Sequence, residues 1–304
     1  MKIVPYDDDV WAKDHPTGDV SFHHMLRGEP DTPENFMYIL GRQDADFWMP
    51  RHRHNFDQIR LPIQGDMTIG RGLVLRQGEI GYFPEGTAYG PQDDPLGDAA
   101  PGERVQLVLQ FGGASGYGFM SIEQRRRARQ EMARTGRFDG NYYYFADGRK
   151  QWGLNAIWEH VHGERLRYPK PRYKSAVVVD PRRFNRLPVP DAPRVDRRFL
   201  GSYSERGMWM EMIRAAAGAR WTSRQPLGRR LIVTLSGTGT CGTTPYGRLT
   251  AIQVEADETL DIAADTETEL FVVGLPPVIL PTRESAEFDY VEITDGEPQP
   301  AAGS

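Results

Sequence analysis

The feature that most constrains this chain is its rhythm: short alternating apolar runs, none much longer than about eight residues, each closed by turn-forming residues. Phe36–Leu40, Asp57–Ile63, Met67–Ile69, Leu73–Leu75 and Val105–Phe111 are such runs, separated by turns such as Gly65-Asp66 and Gly70-Arg71-Gly72. Strands this short bury their apolar faces by packing sheet on sheet, so the pattern predicts an all-β chain. The 32 Gly and 23 Pro supply the corners. With 39% apolar and 26% charged residues the chain is neither disordered nor collagen-like, and 304 residues suggest about two domains.

One segment breaks the rhythm. Ser121-Ile122-Glu123-Gln124 is a capping box, the residues after it favour helix, and Gly136 stands where a C-terminal cap belongs, predicting a helix from Ile122 to Thr135. From there to about residue 200 the chain is rich in Pro and Arg, with a strand at Ser175–Val179. A second β block follows, with strands at Trp209–Ala215, Arg230–Leu235, Leu249–Val254 and Leu270–Val273. The expected division is a first barrel at 1–120, a helix and connector at 121–197, a second barrel at 198–290 and a disordered tail at 291–304, Asp295 to Ser304 having the composition of a free end.

Arg51-His52-Arg53-His54-Asn55-Phe56-Asp57-Gln58 sets two imidazoles two apart, which on a strand places them on one face. Gln58 shares their parity, and Gly65 turns the chain into the next strand. Gly78, Pro84, Gly86 and Tyr89 follow in Gly78-Glu79-Ile80-Gly81-Tyr82-Phe83-Pro84-Glu85-Gly86-Thr87-Ala88-Tyr89. This spacing resembles the two motifs of the cupin superfamily. His52, His54 and Gly65 match the first motif, with Gln58 in its carboxylate slot and Asp46 at its leading glycine. Gly78, Pro84 and Gly86 match the second, with Tyr89 in place of its histidine. The resemblance implies two double-stranded β-helix (jelly-roll) barrels with one intervening helix, and a divalent transition metal at His52, His54 and Gln58. Iron(II) comes first, with Mn, Ni, Zn or Cu as alternatives. The Tyr89 phenol then has three roles open to it: ligand, hydrogen-bond partner of a substrate, or marker of a site without its ion.

Arg60 has the parity of Gln58, so its guanidinium can clamp a substrate carboxylate. Together with Tyr89 it is a candidate catalytic residue. Here the chain shows a local likeness to gentisate-type dioxygenases. Arg51 and Arg53 have the opposite parity and are expected to face outward. Gln106 and Gln110 make one face of their strand polar, toward either a cavity or solvent. In the second half Gly237 is the counterpart of Gly65, which puts Arg230 in the acid's slot and Arg224 and Pro226 in the histidine slots. Ile262, Ala264 and Glu267 replace Pro, Gly and His of the second motif, so the chain resembles a bicupin whose metal chemistry is confined to the first half.

Other features have plainer expectations. Glu159-His160-Val161-His162 is read as a surface strand or loop, and Arg125-Arg126-Arg127 with Arg129 and Arg134 as a solvated helix face or dimer contact. Asn141-Tyr142-Tyr143-Tyr144-Phe145, Trp152 and Trp158 are read as packing between domains, with cover for a barrel mouth as the alternative. His23 and His24, being adjacent, send at most one ring into a site. A net charge of -5 argues against nucleic acid, the single Cys241 excludes an internal disulfide, and no run is long enough for a membrane span. A cytoplasmic homodimer acting on a small molecule is expected. Three functions remain: a metal-dependent oxidoreductase or dioxygenase, a non-redox metal-dependent lyase or isomerase, and a metal-free ligand-binding module.

Overall fold

The computed structural model describes residues 1–13, 15, 19–116, 119–140, 142–279 and 290–291. The tail from Asp295 to Ser304 lies outside them, as does Asn141. Among the described residues nearly all regular structure is β, in two barrels.

In the first barrel a six-stranded antiparallel sheet runs in the order Val177–Val179, Ile80–Phe83, Asp57–Gln64, Val105–Phe111, Phe36–Gln43, Val20–Arg27. Two short pairs complete it: Phe47–Met49 with Gln92–Asp94, and Met67–Gly70 with Leu73–Leu75. The second barrel has a seven-stranded sheet containing Trp209–Ala215, Arg229–Ser236, Ala251–Val254 and Thr268–Leu275, and a four-stranded sheet that starts at Arg220–Arg224. Gly65 and Gly237 both turn with positive φ, 73° and 91°, a region glycine enters without steric cost. Leu249, expected within a strand, instead has φ 64° and sits in the turn that precedes Ala251–Val254.

Alternation along the six-stranded sheet sorts its two faces. Tyr38, Leu40, Ile59, Leu61, Leu107 and Leu109 point one way and join a core that continues through Met210, Met212, Leu231, Val233, Phe271 and Val273 of the second barrel. Met37, Ile39, Gln58, Arg60, Gln106, Val108 and Gln110 point the other way and line a cavity. Because one face meets protein and the other meets the cavity, Phe36–Gln43 is buried almost throughout and reads as a continuous apolar run.

Chain segments also cross between the barrels. Lys2–Val4 of the first half pairs with Ala251–Val254 of the second barrel, while Val177–Val179 of the connector pairs with Ile80–Phe83 of the first. Under the first barrel lies a buried polar knot. Asp57 accepts hydrogen bonds from the Tyr82 hydroxyl (2.9 Å) and the Glu85 amide (2.8 Å), and Glu85 pairs with Arg172 of the connector at 3.0 Å. Arg206 donates to the Gly112 carbonyl and pairs with Glu34.

The capping box forms as read, Ser121 accepting from the Gln124 amide at 3.1 Å, and helix α1 covers Ile122–Met132. It stops short of Thr135 because the last turn tightens, the Arg134 and Thr135 amides bonding back three residues to Glu131 and Met132. Gly136 is not the cap: it opens the Gly136–Asp139 strand, and a Cβ there would fall 2.4 Å from the Tyr143 hydroxyl. A second helix, α2, spans Gly153–His162, where a strand or loop was expected around His160 and His162. Leu154, Ile157, Trp158 and Val161 fall at helical spacing, and that period outweighs the paired histidines. Gly163 closes α2 with φ 68°. No helix among the described residues is long and apolar enough to cross a membrane.

Candidate active site

Two short segments build the floor of the cavity. His52 and Tyr89 are joined by an isolated antiparallel bridge, the His52 amide donating to the Tyr89 carbonyl (3.0 Å) and the Tyr89 amide to the His52 carbonyl (2.9 Å). The bridge brings the two sequence motifs together. Gly86, with φ 77°, lets the chain pass so close to the connector that a Cβ would lie 1.9 Å from the Pro169 carbonyl oxygen.

Tyr89 Oη is the hub. It lies 3.1 Å from His54 Nε2, receives a hydrogen bond from Gln58 Nε2 at 3.1 Å and another from Arg60 at 3.0 Å. Gln58 Oε1 in turn accepts from Gln110 at 2.6 Å. His52 meets the backbone carbonyl of Pro50 through Nδ1 at 2.8 Å, which fixes its tautomer with an Nε2 lone pair free of a proton. His54 stacks on Phe56 with ring centroids 4.5 Å apart. All five residues singled out from the sequence therefore converge. His52, His54, Gln58 and Arg60 line the cavity itself, and Tyr89 lies one hydrogen bond behind that lining.

Burial sets the electrostatics. It pushes His52 down to about 4, helped by the Arg60 charge, and holds His54 well below the usual histidine range, helped by His52, Arg60 and Arg125. Both imidazoles are neutral near pH 7, the form in which they donate lone pairs. His15, a residue sequence reasoning missed, also lines the cavity and is lowered to about 4 by burial.

The cavity has a volume of about 180 Å³. Its walls are Met37, Ile39, Val108 and Phe119, and its roof comes from the connector through Trp152, Leu154, Asn155, Trp158, Leu166 and Tyr168. Trp152 and Trp158 thus cover the barrel mouth, whereas Tyr143 packs into the core between α1 and α2. Gln106 and Gln110 face the cavity.

Two arginines correct the sequence reading. Arg53 lines the cavity and stacks over Tyr168 at 4.6 Å, because residues 53–56 form a loop where strand alternation does not hold. Arg125 turns from α1 into the same cavity, while Arg126 and Arg127 are exposed as expected. His23 and His24 stay out: His23 packs between the Tyr6 and Trp11 rings.

The second barrel is filled by its own side chains, including Trp221, Cys241, Tyr246 and Ile262. Arg230, in the slot equivalent to the acid's, is buried and donates to Ser223 and to the Glu258 carbonyl. Arg224 pairs with Asp257 at the surface.

Whether the first barrel suits a metal ion turns on its donors. Among the described residues no group of three or more His, Cys, Asp or Glu converges, so an ion here would rest on two imidazoles and the Gln58 amide oxygen. The Pro50 contact on His52 is the outer-shell partner that a ligating histidine needs. A divalent cation held by these donors would need an anionic ligand to balance its charge beside Arg60.

This fold is the double-stranded β-helix of the cupins. No protein-family model and no curated protein sequence matches the chain. Solved structures do. A candidate dioxygenase of Nostoc punctiforme is similar over 93% of this chain and 80% of its own, with TM-score 0.54 and 12% identity. A candidate glyoxylate-induced protein of Pseudomonas aeruginosa is similar over 90% and 84%, with TM-score 0.52 and 11% identity. Streptomyces albus HEPD, solved with 2-hydroxyethylphosphonate and Fe(II) bound, is similar over 92% and 74%, with TM-score 0.50 and 12% identity. At these identities the likeness establishes the fold.

Proposed function

We propose that the chain is a small-molecule enzyme of the dioxygenase-like cupin kind, acting on an organic carboxylate inside the first barrel. One observation carries this reading: neutral imidazoles and arginines line a roofed cavity that has no acidic residue among its described lining. His52 and His54 would hold a divalent ion, with Gln58 as the nearest oxygen donor. The bound ion would supply Lewis acidity and, as iron, electron exchange with dioxygen.

The remaining work falls to the chain's own side chains. Arg60 has a buried Nε with no hydrogen-bond partner, so it can take a carboxylate while its Nη2 keeps Tyr89 in place. Tyr89 holds a proton at Oη next to His54 Nε2, one step from the ligand. The indole and phenol rings of the roof exclude water, which strengthens each charged contact below them.

The test is oxygen uptake by iron-loaded protein with hydroxybenzoates. Turnover in wild type, with KM raised about a hundredfold and kcat changed far less in Arg60→Met, is the expected result. Equal kinetics in the variant would remove Arg60 from substrate binding. A metal-free binding module is the second reading, favoured by the lack of a third His, Cys, Asp or Glu at the site among the described residues. Tight carboxylate binding by metal-free protein, with no turnover under any metal, would select it.

A further inference from the structure

Four buried polar atoms in the described structure lack a hydrogen-bond partner and line this one cavity: Arg60 Nε, Arg125 Nε, Asn55 Nδ2 and Gln106 Oε1. Three of them are donors. Buried donors are normally satisfied, so three in one space indicate an absent partner rich in acceptor oxygens. They come from different parts of the fold. Arg60 stands on a barrel strand, Asn55 in the loop before it, and Arg125 on α1, which belongs to the connector.

Arg125 is the unexpected member. Its guanidinium makes no hydrogen bond or ion pair with any described residue, and its buried Nε is unpartnered. Its only acidic influence is Glu123, which is exposed on the same helix and paired with Arg27 at 3.2 Å. Its charge reaches both His15 and His54, as does that of Arg60, so the two guanidiniums look into a common space. Arg53, the third, is stacked on Tyr168. A cavity holding three guanidiniums and no carboxylate among its described lining stays costly until anionic charge enters it. One carboxylate leaves most of that charge uncompensated.

We propose that Arg125, with Asn55, forms a second anion-recognising pole, and that the ligand is a small dianionic acid bridging this pole and Arg60 across the apolar wall of Met37, Ile39 and Val108. This rests on the reading of the cavity as a carboxylate site and adds the ligand's second charge. Arg125 is then a specificity residue: it selects diacids over monoacids. Its place on α1 means that both charges meet only where that helix packs beside the first barrel.

The test is titration calorimetry on the full chain, using benzoate and the three benzenedicarboxylates as probes. Wild type is expected to bind at least one diacid about tenfold or more tightly than benzoate, the worth of one charge-assisted contact. Arg125→Gln is expected to bring that ratio to within about twofold while leaving benzoate affinity within about threefold, and Arg125→Lys to keep part of the preference. A diacid preference that survives in Arg125→Gln, or benzoate binding with no diacid preference in wild type, overturns the proposal and leaves the carboxylate site standing. Failure of wild type to bind any of the four probes would overturn both.

Discussion

At the scale of single residues the site is a hydrogen-bond economy centred on Tyr89. In the metal-free chain, as a neutral phenol, its oxygen accepts from Arg60 and Gln58 and donates to His54, a contact that His54 Nε2 gives up when that atom takes an ion. Tyr89→Phe strips a partner from three groups at once and is expected to cost about 1–3 kcal/mol in urea unfolding. Because the hydroxyl lies behind the lining, the same variant is expected to keep its metal and lose turnover by about a hundredfold. Metal lost together with the hydroxyl would make Tyr89 a ligand instead. His52, His54, Gln58, Arg60 and Tyr89 were picked out by the spacing of His52, Gly65, Gly78 and Gly86, and the structure brings these five together. Arg53 and Arg125 were not legible in the sequence. Parity arguments need a strand, and residues 53–56 are a loop; a run of arginines on a helix gives no sign of which one a neighbouring barrel will cover.

At the scale of elements the connector matters more than its composition suggests. Its α2 helix roofs the cavity, its Arg172 enters the knot of Asp57 and Glu85, and its Val177–Val179 strand extends the first sheet. The knot makes a pH prediction. Burial and the neighbouring Asp57 raise Glu85 from its ordinary 4.5 to about 7, so between those values the folded chain holds a proton that the unfolded chain has released. Stability from this group is therefore greatest below about pH 4.5, falls as pH rises through the window, and levels off above pH 7. Between pH 5 and 8 the melting temperature of Glu85→Gln should gain on that of wild type as pH rises, the opposing contribution of the buried neutral histidines being common to both. An identical slope in the variant would place the proton elsewhere. The α2 helix itself escaped the sequence reading because His160 and His162 draw the eye to a period of two, although Leu154, Ile157, Trp158 and Val161 carry a period near 3.6.

At the scale of the whole molecule the two barrels share one apolar core, from Tyr38 and Leu109 through to Met210 and Phe271, and the Lys2–Val4 strand of the first half lies in the second half's sheet. Unfolding is accordingly expected to be a single transition by calorimetry, and removal of residues 1–5 to lower its midpoint by several degrees, since Ile3 and Val4 pack against both clusters. Two separated transitions would show barrels that stand alone. The barrel rhythm was readable because strand length and turns are local properties. The shared core was not, because a face buried against a second barrel and a face turned to a cavity carry the same apolar letters. The central claim, that His52 and His54 form a centre for a divalent ion in the first barrel, is tested most directly by elemental analysis of the chain purified from metal-supplemented growth, beside a His52→Ala/His54→Ala variant. Close to one ion per chain in wild type and almost none in the variant is the predicted result; substoichiometric metal that the substitutions leave unchanged would contradict it.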